Sequence, residues 1–170
     1  MMNIAVFGSG SWATAIVKIL CETHEKVFWW VREKEIEEGV KEFGHNPLFL
    51  RYCELEKEKI EVSNDINYIL SSADYLFFVI PAAFLEVSLK DVKKESFKDK
   101  KIISAIKGIV PSTNQIVSDY FRAAYDIPFT RQAVISGPSH AEEIAQECLT
   151  YLTVGSEDQE LASLISKNIN

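Results

Sequence analysis

Short apolar runs alternate with amphipathic stretches along almost the whole chain. Seven apolar runs predict strands, at residues 4–7, 26–30, 60–62, 75–79, 101–104, 133–136 and 149–155. Several of them are continuously apolar, which is typical of strands covered on both faces. The stretches between them predict helices at residues 11–21, 33–42, 65–70, 83–92, 113–124, 139–146 and 157–167. This alternation predicts an α/β fold with a doubly wound, mostly parallel sheet and right-handed crossovers.

Three of the predicted helices begin with the S-x-x-E/Q pattern of a capping box, in which two side chains satisfy free backbone N–H groups. The pairs are Ser112 with Gln115, Ser139 with Glu142, and Ser156 with Gln159. We therefore expect these serines to lie at helix starts.

The last helical pattern runs to Lys167 with no cap and no strand after it. Helices in folds of this kind usually lead into another strand or domain. We therefore expect residues 1–170 to form one domain, the N-terminal part of a longer polypeptide. The alternative is a natural chain whose last helix frays.

Composition and charge narrow the class of protein. The 170 residues suffice for one domain with a sizeable core. The net charge of −7 comes from interspersed acidic and basic residues, which argues against nucleic-acid binding. Because no apolar run reaches membrane-spanning length and no signal-peptide pattern is present, we expect a soluble, cytoplasmic protein without membrane contacts. The three cysteines form no C-x-x-C pair, and neither they nor the three histidines have metal-ligand spacing, so we expect no metal site.

The segment Gly8-Ser9-Gly10-Ser11-Trp12-Ala13 follows the first predicted strand and opens the first predicted helix. Gly8 suits a tight turn, Gly10 lets the backbone approach a pyrophosphate, and the small Ala13 lets the helix pack on the strand. Free N–H groups and the helix dipole would then attract the anion. The segment predicts dinucleotide binding, and the alternative is a structural glycine turn in another α/β domain.

Four further segments point to one family. They read N-P-L-F-L at 46–50, V-I-P-A-A-F at 79–84, S-A-I-K-G-I at 104–109 and S-G-P-S-H-A-E-E at 136–143. In this order after a G-S-G-S-W turn, the chain resembles NAD(P)-dependent glycerol-3-phosphate dehydrogenase. The resemblance spans essentially the whole chain but only the cofactor-binding, N-terminal domain of the family.

The resemblance implies hydride transfer between NAD(P)H and dihydroxyacetone phosphate, which gives sn-glycerol 3-phosphate, a phospholipid precursor. In the family the substrate lies between this domain and a helical C-terminal domain that supplies an acid/base lysine. That C-terminal domain is absent here, so we expect this chain to bind the cofactor, NAD or NADP, and to be inactive alone. The exposed face that would meet the second domain predicts self-association, with a homodimer as the simplest form.

The resemblance also implies cofactor contacts. Ser11 and Trp12 would touch the pyrophosphate with Gly8 and Gly10, Phe49 and Phe84 would wall the cofactor, and Ala141 would face the nicotinamide. Arg32 lies where the family often carries an arginine beside the adenosine ribose, and arginine suits the 2′-phosphate of NADP. Glu33 lies where an acidic residue would bind the ribose hydroxyls of NAD. These two residues leave the choice of cofactor open.

Lys107 follows an apolar strand and precedes Gly108, which places it at the carboxyl end of a strand, where such sheets bind ligands. Its ammonium would contact cofactor and substrate and stabilise charge developing on the substrate oxygen, a catalytic role. By the resemblance, Gly137 and Ser139 would bind the phosphorylated substrate, and Ser139 would also cap its helix.

Two other functions stay open. A related dehydrogenase acting on a β-hydroxyacid would need a different motif at residues 136–143. A stand-alone cofactor-binding or regulatory module would bind the nucleotide without chemistry.

Overall fold

The computed structural model describes residues 2–169, which form nine strands and seven α-helices. The strands are β1 (Ile4–Phe7), β2 (Val27–Trp30), β3 (Ile60–Ser63), β4 (Tyr75–Phe78), β5 (Lys101–Ser104), β6 (Ile109–Val110), β7 (Gln115–Ile116), β8 (Gln132–Ser136) and β9 (Thr153–Ser156). The helices are α1 (Ser11–Thr23), α2 (Lys34–Phe43), α3 (Ile66–Ser72), α4 (Ala82–Leu89), α5 (Val117–Tyr125), α6 (Ala141–Ala145) and α7 (Gln159–Asn168).

Seven of the strands form one sheet in the order β3-β2-β1-β4-β5-β8-β9. All neighbours in it pair parallel except β8 and β9, which are antiparallel. β6 and β7 form a separate antiparallel hairpin. The prediction of a doubly wound, mostly parallel sheet is therefore confirmed.

The sheet separates two apolar cores, because successive strand residues point to opposite faces. In β1, Ile4 and Val6 join the core that contains side chains of α1, α2, α6 and α7. Ala5 and Phe7 join the core that contains side chains of α3, α4 and α5. All four residues are fully buried, which explains why this strand is apolar throughout.

The last two strands of the sheet are covered on one face only. Ala133 and Ile135 of β8 are buried in the core beneath α1 and α7. The alternate residues Val134 and Ser136 are exposed, as is Thr153 of β9. The antiparallel pairing of β9 lets it end the sheet without a crossover helix on the other face.

The helix between residues 113 and 124 was predicted too long. Gln115 and Ile116 form β7, so α5 begins only at Val117 and the predicted capping box of Ser112 and Gln115 does not exist. The hairpin itself was not predicted, because two-residue strands carry too little pattern to distinguish them from a helix start.

The two other predicted capping boxes are also wrong. The N-cap of α6 is His140, whose backbone N–H donates to Glu143 Oε2, one residue later than predicted. The N-cap of α7 is Asp158, whose carboxylate accepts from two N–H groups of the first turn. The hydroxyls of Ser139 and Ser156 donate instead to the carbonyls of Tyr151 and Gln132, respectively. Both serines thus join neighbouring segments rather than cap helices.

No helix within residues 2–169 is long and apolar enough to cross a membrane. The longest helix of this part of the chain, α1, has 13 residues and is about 20 Å long, against a hydrocarbon core of about 30 Å.

Gly137 allows β8 to turn against the chain that leads into β9. Its φ is +151°, and a Cβ there would lie 2.3 Å from the Tyr151 carbonyl oxygen. We expect Gly137→Ala to lower the free energy of unfolding by about 2 kcal/mol or more, since both the strain and the clash oppose it. Gly155→Ala is the matched control in β9, where a Cβ would meet nothing within 4 Å. Urea denaturation measures both, and equal losses would contradict this explanation.

Candidate functional site

The carboxyl ends of β1, β2 and β4 meet at one edge of the sheet. From β1 the strand order runs one way to β2 and β3 and the other way to β4 and β5. Open α/β sheets bind ligands in the crevice outside the strands at such a switch point. The loops at this edge therefore form the candidate site.

Gly8 holds the first of these loops between the neighbouring strands. Its N–H donates to the Trp30 carbonyl at 3.1 Å, and its own carbonyl accepts from Trp29 Nε1 at 2.7 Å. Its φ is +144°, and a Cβ would lie 2.5 Å from the Val79 carbonyl oxygen. No other residue fits here without moving the Val79 carbonyl just after β4, so Gly8 fixes where the chain turns into α1.

Gly10 is different, because nothing in the protein crowds it. It is the N-cap residue of α1, with extended backbone, and a Cβ there would meet nothing within 4 Å. No side chain caps this helix, and its first turn contains no acidic residue. The start of α1, with Ser11 and Trp12, therefore presents free N–H groups and the positive end of the dipole to open space, which suits an anion.

A pocket of about 220 Å³ lies beside this helix start. Its lining residues are Gly8, Ser9, Gly10, Trp30, Arg32, Glu33, Phe49, Ile80, Pro81, Phe84 and Ser88. Phe49 and Phe84 remain partly exposed, at 39% and 48%, so their rings are available to a flat ligand. Of the residues predicted from the sequence, the structure brings Gly8, Gly10, Arg32, Phe49 and Phe84 together in this pocket.

Arg32 and Glu33 form an ion pair at the rim of the pocket. Arg32 Nε and Nη2 donate to Glu33 Oε1 at 2.9 and 2.5 Å, and the guanidinium lies 5.8 Å from the centre of the Phe84 ring. The other carboxylate oxygen, Glu33 Oε2, is buried and has no hydrogen-bond partner within residues 2–169. Burial opposes its charge, but the nearby Ser9 hydroxyl and Arg32 outweigh burial and lower the pKa of Glu33. Glu33 is therefore an ionised acceptor at the rim of the pocket.

Trp12 and Lys107 lie together outside this pocket. Lys107 follows the end of β5, is exposed, and places Nζ 6.0 Å from the centre of the Trp12 ring. Trp12 Nε1 is buried without an acceptor in the described part of the chain. The pair combines a cation and an aromatic ring at the same sheet edge as the helix start.

Gly137, Ser139 and Ala141 lie at the start of α6, which packs against α1. The Ser139 hydroxyl is buried, donates to the Tyr151 carbonyl at 2.7 Å and accepts from Thr150 Oγ1 at 2.5 Å. Ala141 is buried as well. None of the three lines the pocket; Ser139 holds the segment before β9, and Gly137 lies close against it.

Several residues at this edge were not singled out from the sequence. Ser9 accepts from the Arg32 N–H, and Ile80 and Pro81 form the pocket wall before α4. Asn46 is fully buried behind the glycine loop. The N-P and I-P pairs marked these loops, but nothing in the sequence indicated which side chain would be buried.

No group of three or more His, Cys, Asp or Glu side chains that could hold a metal ion occurs in the part of the chain described, residues 2–169. The charged groups of the site are thus Arg32, Glu33 and Lys107, together with the dipole of α1.

A doubly wound sheet with a glycine turn, an uncapped helix start and an adjoining pocket at the switch point defines a dinucleotide-binding domain. The chain belongs to the family described as NAD-dependent glycerol-3-phosphate dehydrogenase N-terminus, whose profile matches residues 3–162. The resemblance seen in the motifs is therefore confirmed.

Two relatives show the extent of the match. A glycerol-3-phosphate dehydrogenase [NAD(P)+] of Syntrophotalea carbinolica is 32% identical over 167 residues, which are 98% of this chain and 50% of the relative. One from Ectopseudomonas mendocina is 31% identical over 170 residues, 100% of this chain and 49% of the relative. The chain thus spans about half the length of these curated relatives.

Solved structures give the same picture. The glycerol-3-phosphate dehydrogenase of Plasmodium falciparum superposes with a TM-score of 0.87 at 26% identity, covering 99% of this chain and 50% of that one. The enzyme from Coxiella burnetii superposes with a TM-score of 0.88 at 22% identity, covering 99% and 51%, which supports the fold alone.

Alanine substitutions at the two glycines of the loop should have opposite effects on stability and on binding. We expect Gly8→Ala to cost roughly 3 kcal/mol of unfolding free energy, because its Cβ would collide with the Val79 carbonyl. Gly10→Ala should cost less than about 1 kcal/mol, since its Cβ enters open space, yet it should weaken dinucleotide binding about tenfold or more by filling that space. Urea denaturation and calorimetric titration measure the two effects. A stable Gly10→Ala variant with unchanged affinity would contradict the assignment of Gly8 to Gly10 and the start of α1 as the cradle for the phosphates.

Proposed function

We propose that this chain is the cofactor-binding domain of a glycerol-3-phosphate dehydrogenase. In the complete enzyme, hydride would pass between the nicotinamide and dihydroxyacetone phosphate, giving sn-glycerol 3-phosphate. Family membership supports the reaction. The cofactor-binding role of this chain is inferred from one observation. The start of α1 at Gly10 is open and uncapped, and it lies beside the aromatic pocket.

The residues present fit a nicotinamide dinucleotide. The N–H groups at the start of α1 would bind the pyrophosphate, because a Cβ-free position and an uncapped dipole meet there. Phe49 and Phe84 would enclose the adenosine half, with Arg32 and Glu33 at its ribose. When bound, the cofactor supplies the hydride, and the protein binds and orients it.

We further propose that the cofactor is NAD(H) rather than NADP(H). The Arg32 guanidinium already donates twice to Glu33 Oε1, so it is less available to a 2′-phosphate. The Glu33 carboxylate, which lines the pocket, would accept from ribose hydroxyls and repel a phosphate at that position. The lowered pKa of Glu33 keeps this carboxylate charged at neutral pH.

The substrate would lie on the Lys107 side of the cradle. The Lys107 ammonium has no carboxylate within ion-pair distance among the described side chains, and it would stabilise negative charge on the substrate oxygen. For Ser139 to donate to the substrate, its hydroxyl would have to exchange its bond to Tyr151. Gly137 and Ala141 would contribute backbone close to the substrate and the nicotinamide.

The relatives carry as many residues again beyond the part matched here. We propose that this second half closes over the site, supplies the acid/base group and covers exposed apolar positions such as Val134. A chain of residues 1–170 alone would leave such positions open, which favours self-association as a homodimer.

The preference between the two cofactors tests Glu33 directly. We expect the chain to bind NADH about tenfold more tightly than NADPH in calorimetric titration at pH 7. Glu33→Gln should remove most of this difference by admitting the 2′-phosphate. The same change in Glu38, an exposed residue of α2 paired with Lys34, is the control and should leave the ratio unchanged. Tighter binding of NADPH would overturn the proposal for NAD.

The affinity for NADH should not depend on pH near neutrality. Because the Ser9 hydroxyl and Arg32 outweigh burial and lower the pKa of Glu33, its carboxylate is ionised throughout the neutral range. The dissociation constant for NADH should therefore be the same at pH 6 and pH 8, and calorimetric titrations at both ends of this range check it. An affinity for NADH that falls toward pH 6 would contradict an ionised Glu33.

The turnover rate tests whether catalysis needs the second half of the complete enzyme. We expect the chain to bind NADH but to reduce dihydroxyacetone phosphate at least about 10⁴-fold more slowly than a complete relative, a barrier increase of about 5 kcal/mol. Loss of NADH absorbance measures the rate, with the complete enzyme of a relative as control. A rate near that of the complete enzyme would show that this chain alone supplies the acid/base group.

A further inference from the structure

We propose that Asn46 and Thr14 are positioning residues that fix the glycine loop, Gly8 to Gly10, with its carbonyl groups turned into the protein. The inference rests on the proposed cofactor-binding function, because it assigns these side chains to the same site. Neither of them lines the pocket.

Asn46 uses its entire hydrogen-bonding capacity. Its side chain is fully buried, and Nδ2 donates to the Ser9 carbonyl and to Thr14 Oγ1, both at 2.9 Å. Its Oδ1 accepts from the N–H groups of Leu48 and Phe49, at 3.0 and 3.1 Å. Two donors and two acceptor sites are thus all satisfied within the protein.

Thr14 continues this network to the second loop carbonyl. It is fully buried in the first turns of α1, and its hydroxyl donates to the Gly10 carbonyl at 3.1 Å. The Thr14 backbone N–H donates to the same oxygen at 3.0 Å. The carbonyls of Ser9 and Gly10 are therefore both held by donors from inside the protein.

This arrangement matters because carbonyl oxygens carry partial negative charge. An anion at the start of α1 is attracted by N–H groups and repelled by any carbonyl that turns toward it. By engaging both loop carbonyls, Asn46 and Thr14 keep that repulsion away from the cradle before the ligand arrives. Such a preformed arrangement binds more tightly because less ordering accompanies binding.

Asn46 also links the loop to the aromatic wall of the pocket. Its Oδ1 holds the backbone of Phe49, while its Nδ2 holds Ser9, on the opposite side of the same buried amide. The phosphate side and the base side of the pocket are therefore positioned by one side chain. Removal of Thr14 Oγ1 should affect only the phosphate side, whereas removal of the Asn46 amide should affect both.

The experiment compares ligands with and without phosphate. NADH fluorescence reports binding to the full 170-residue chain, and ADP or adenosine displaces it. We expect Thr14→Val to weaken ADP about threefold to tenfold, as expected for one lost hydrogen bond, with adenosine unchanged. Thr14→Ser should restore ADP binding because it keeps the hydroxyl. Asn46→Ala should weaken both ADP and adenosine.

The control is Thr23→Val at the other end of α1, where the hydroxyl donates to the Leu20 carbonyl. It should leave both ligands unaffected, and thermal melts show that each variant is folded at the temperature used. If Asn46→Ala does not fold, the comparison of Thr14→Val with Thr14→Ser still tests the proposal.

Two outcomes would count against the positioning role, and they can be told apart. If the unmodified chain does not bind NADH, the proposed function fails and the positioning role fails with it. If it binds NADH but Thr14→Val leaves the ratio of ADP to adenosine affinity unchanged, the positioning role alone is overturned.

Discussion

The whole site depends on the close approach of the Gly8 backbone to the Val79 carbonyl of the neighbouring segment. Only a residue without a Cβ can pass there, and the Trp29 indole and Trp30 carbonyl hold it from the other side. This contact fixes the direction in which the chain enters α1. The free N–H groups, the pocket and the pairing of Arg32 with Glu33 all follow from that direction.

Buried β1 and Gly8 were predictable because their physical requirements are strong. A strand covered on both faces must be apolar, and a turn with φ of +144° pressed against a neighbouring carbonyl requires glycine, so both leave a mark in the sequence. The alternation of strands and helices and the right-handed crossover also favour a parallel sheet, but they leave its strand order open. All seven predicted strands are present: six shift by at most one residue at an end, and the last begins at Thr153, four residues later than predicted.

The residues that escaped prediction act through long-range contacts. Asn46 begins one of the motifs that carry the family resemblance, but no role was assigned to it; it is fully buried because Ser9 and Thr14, distant in sequence, meet it in space. The Ser139 hydroxyl was expected to cap a helix, but the Tyr151 carbonyl competes for it successfully. Local patterns cannot reveal which of two nearby partners a hydroxyl will choose once the tertiary structure has formed.

The half-covered end of the sheet gives the domain a gradient of stability. β1 and β4 are enclosed by two cores, whereas β8 and β9 bury apolar side chains on one face only. Local opening costs least where buried contacts are fewest, so β9 should exchange its amide hydrogens long before β1 does. The cradle at Gly8 to Gly10 thus follows a strand protected on both faces, while the segment that Ser139 holds leads into the half-covered end of the sheet.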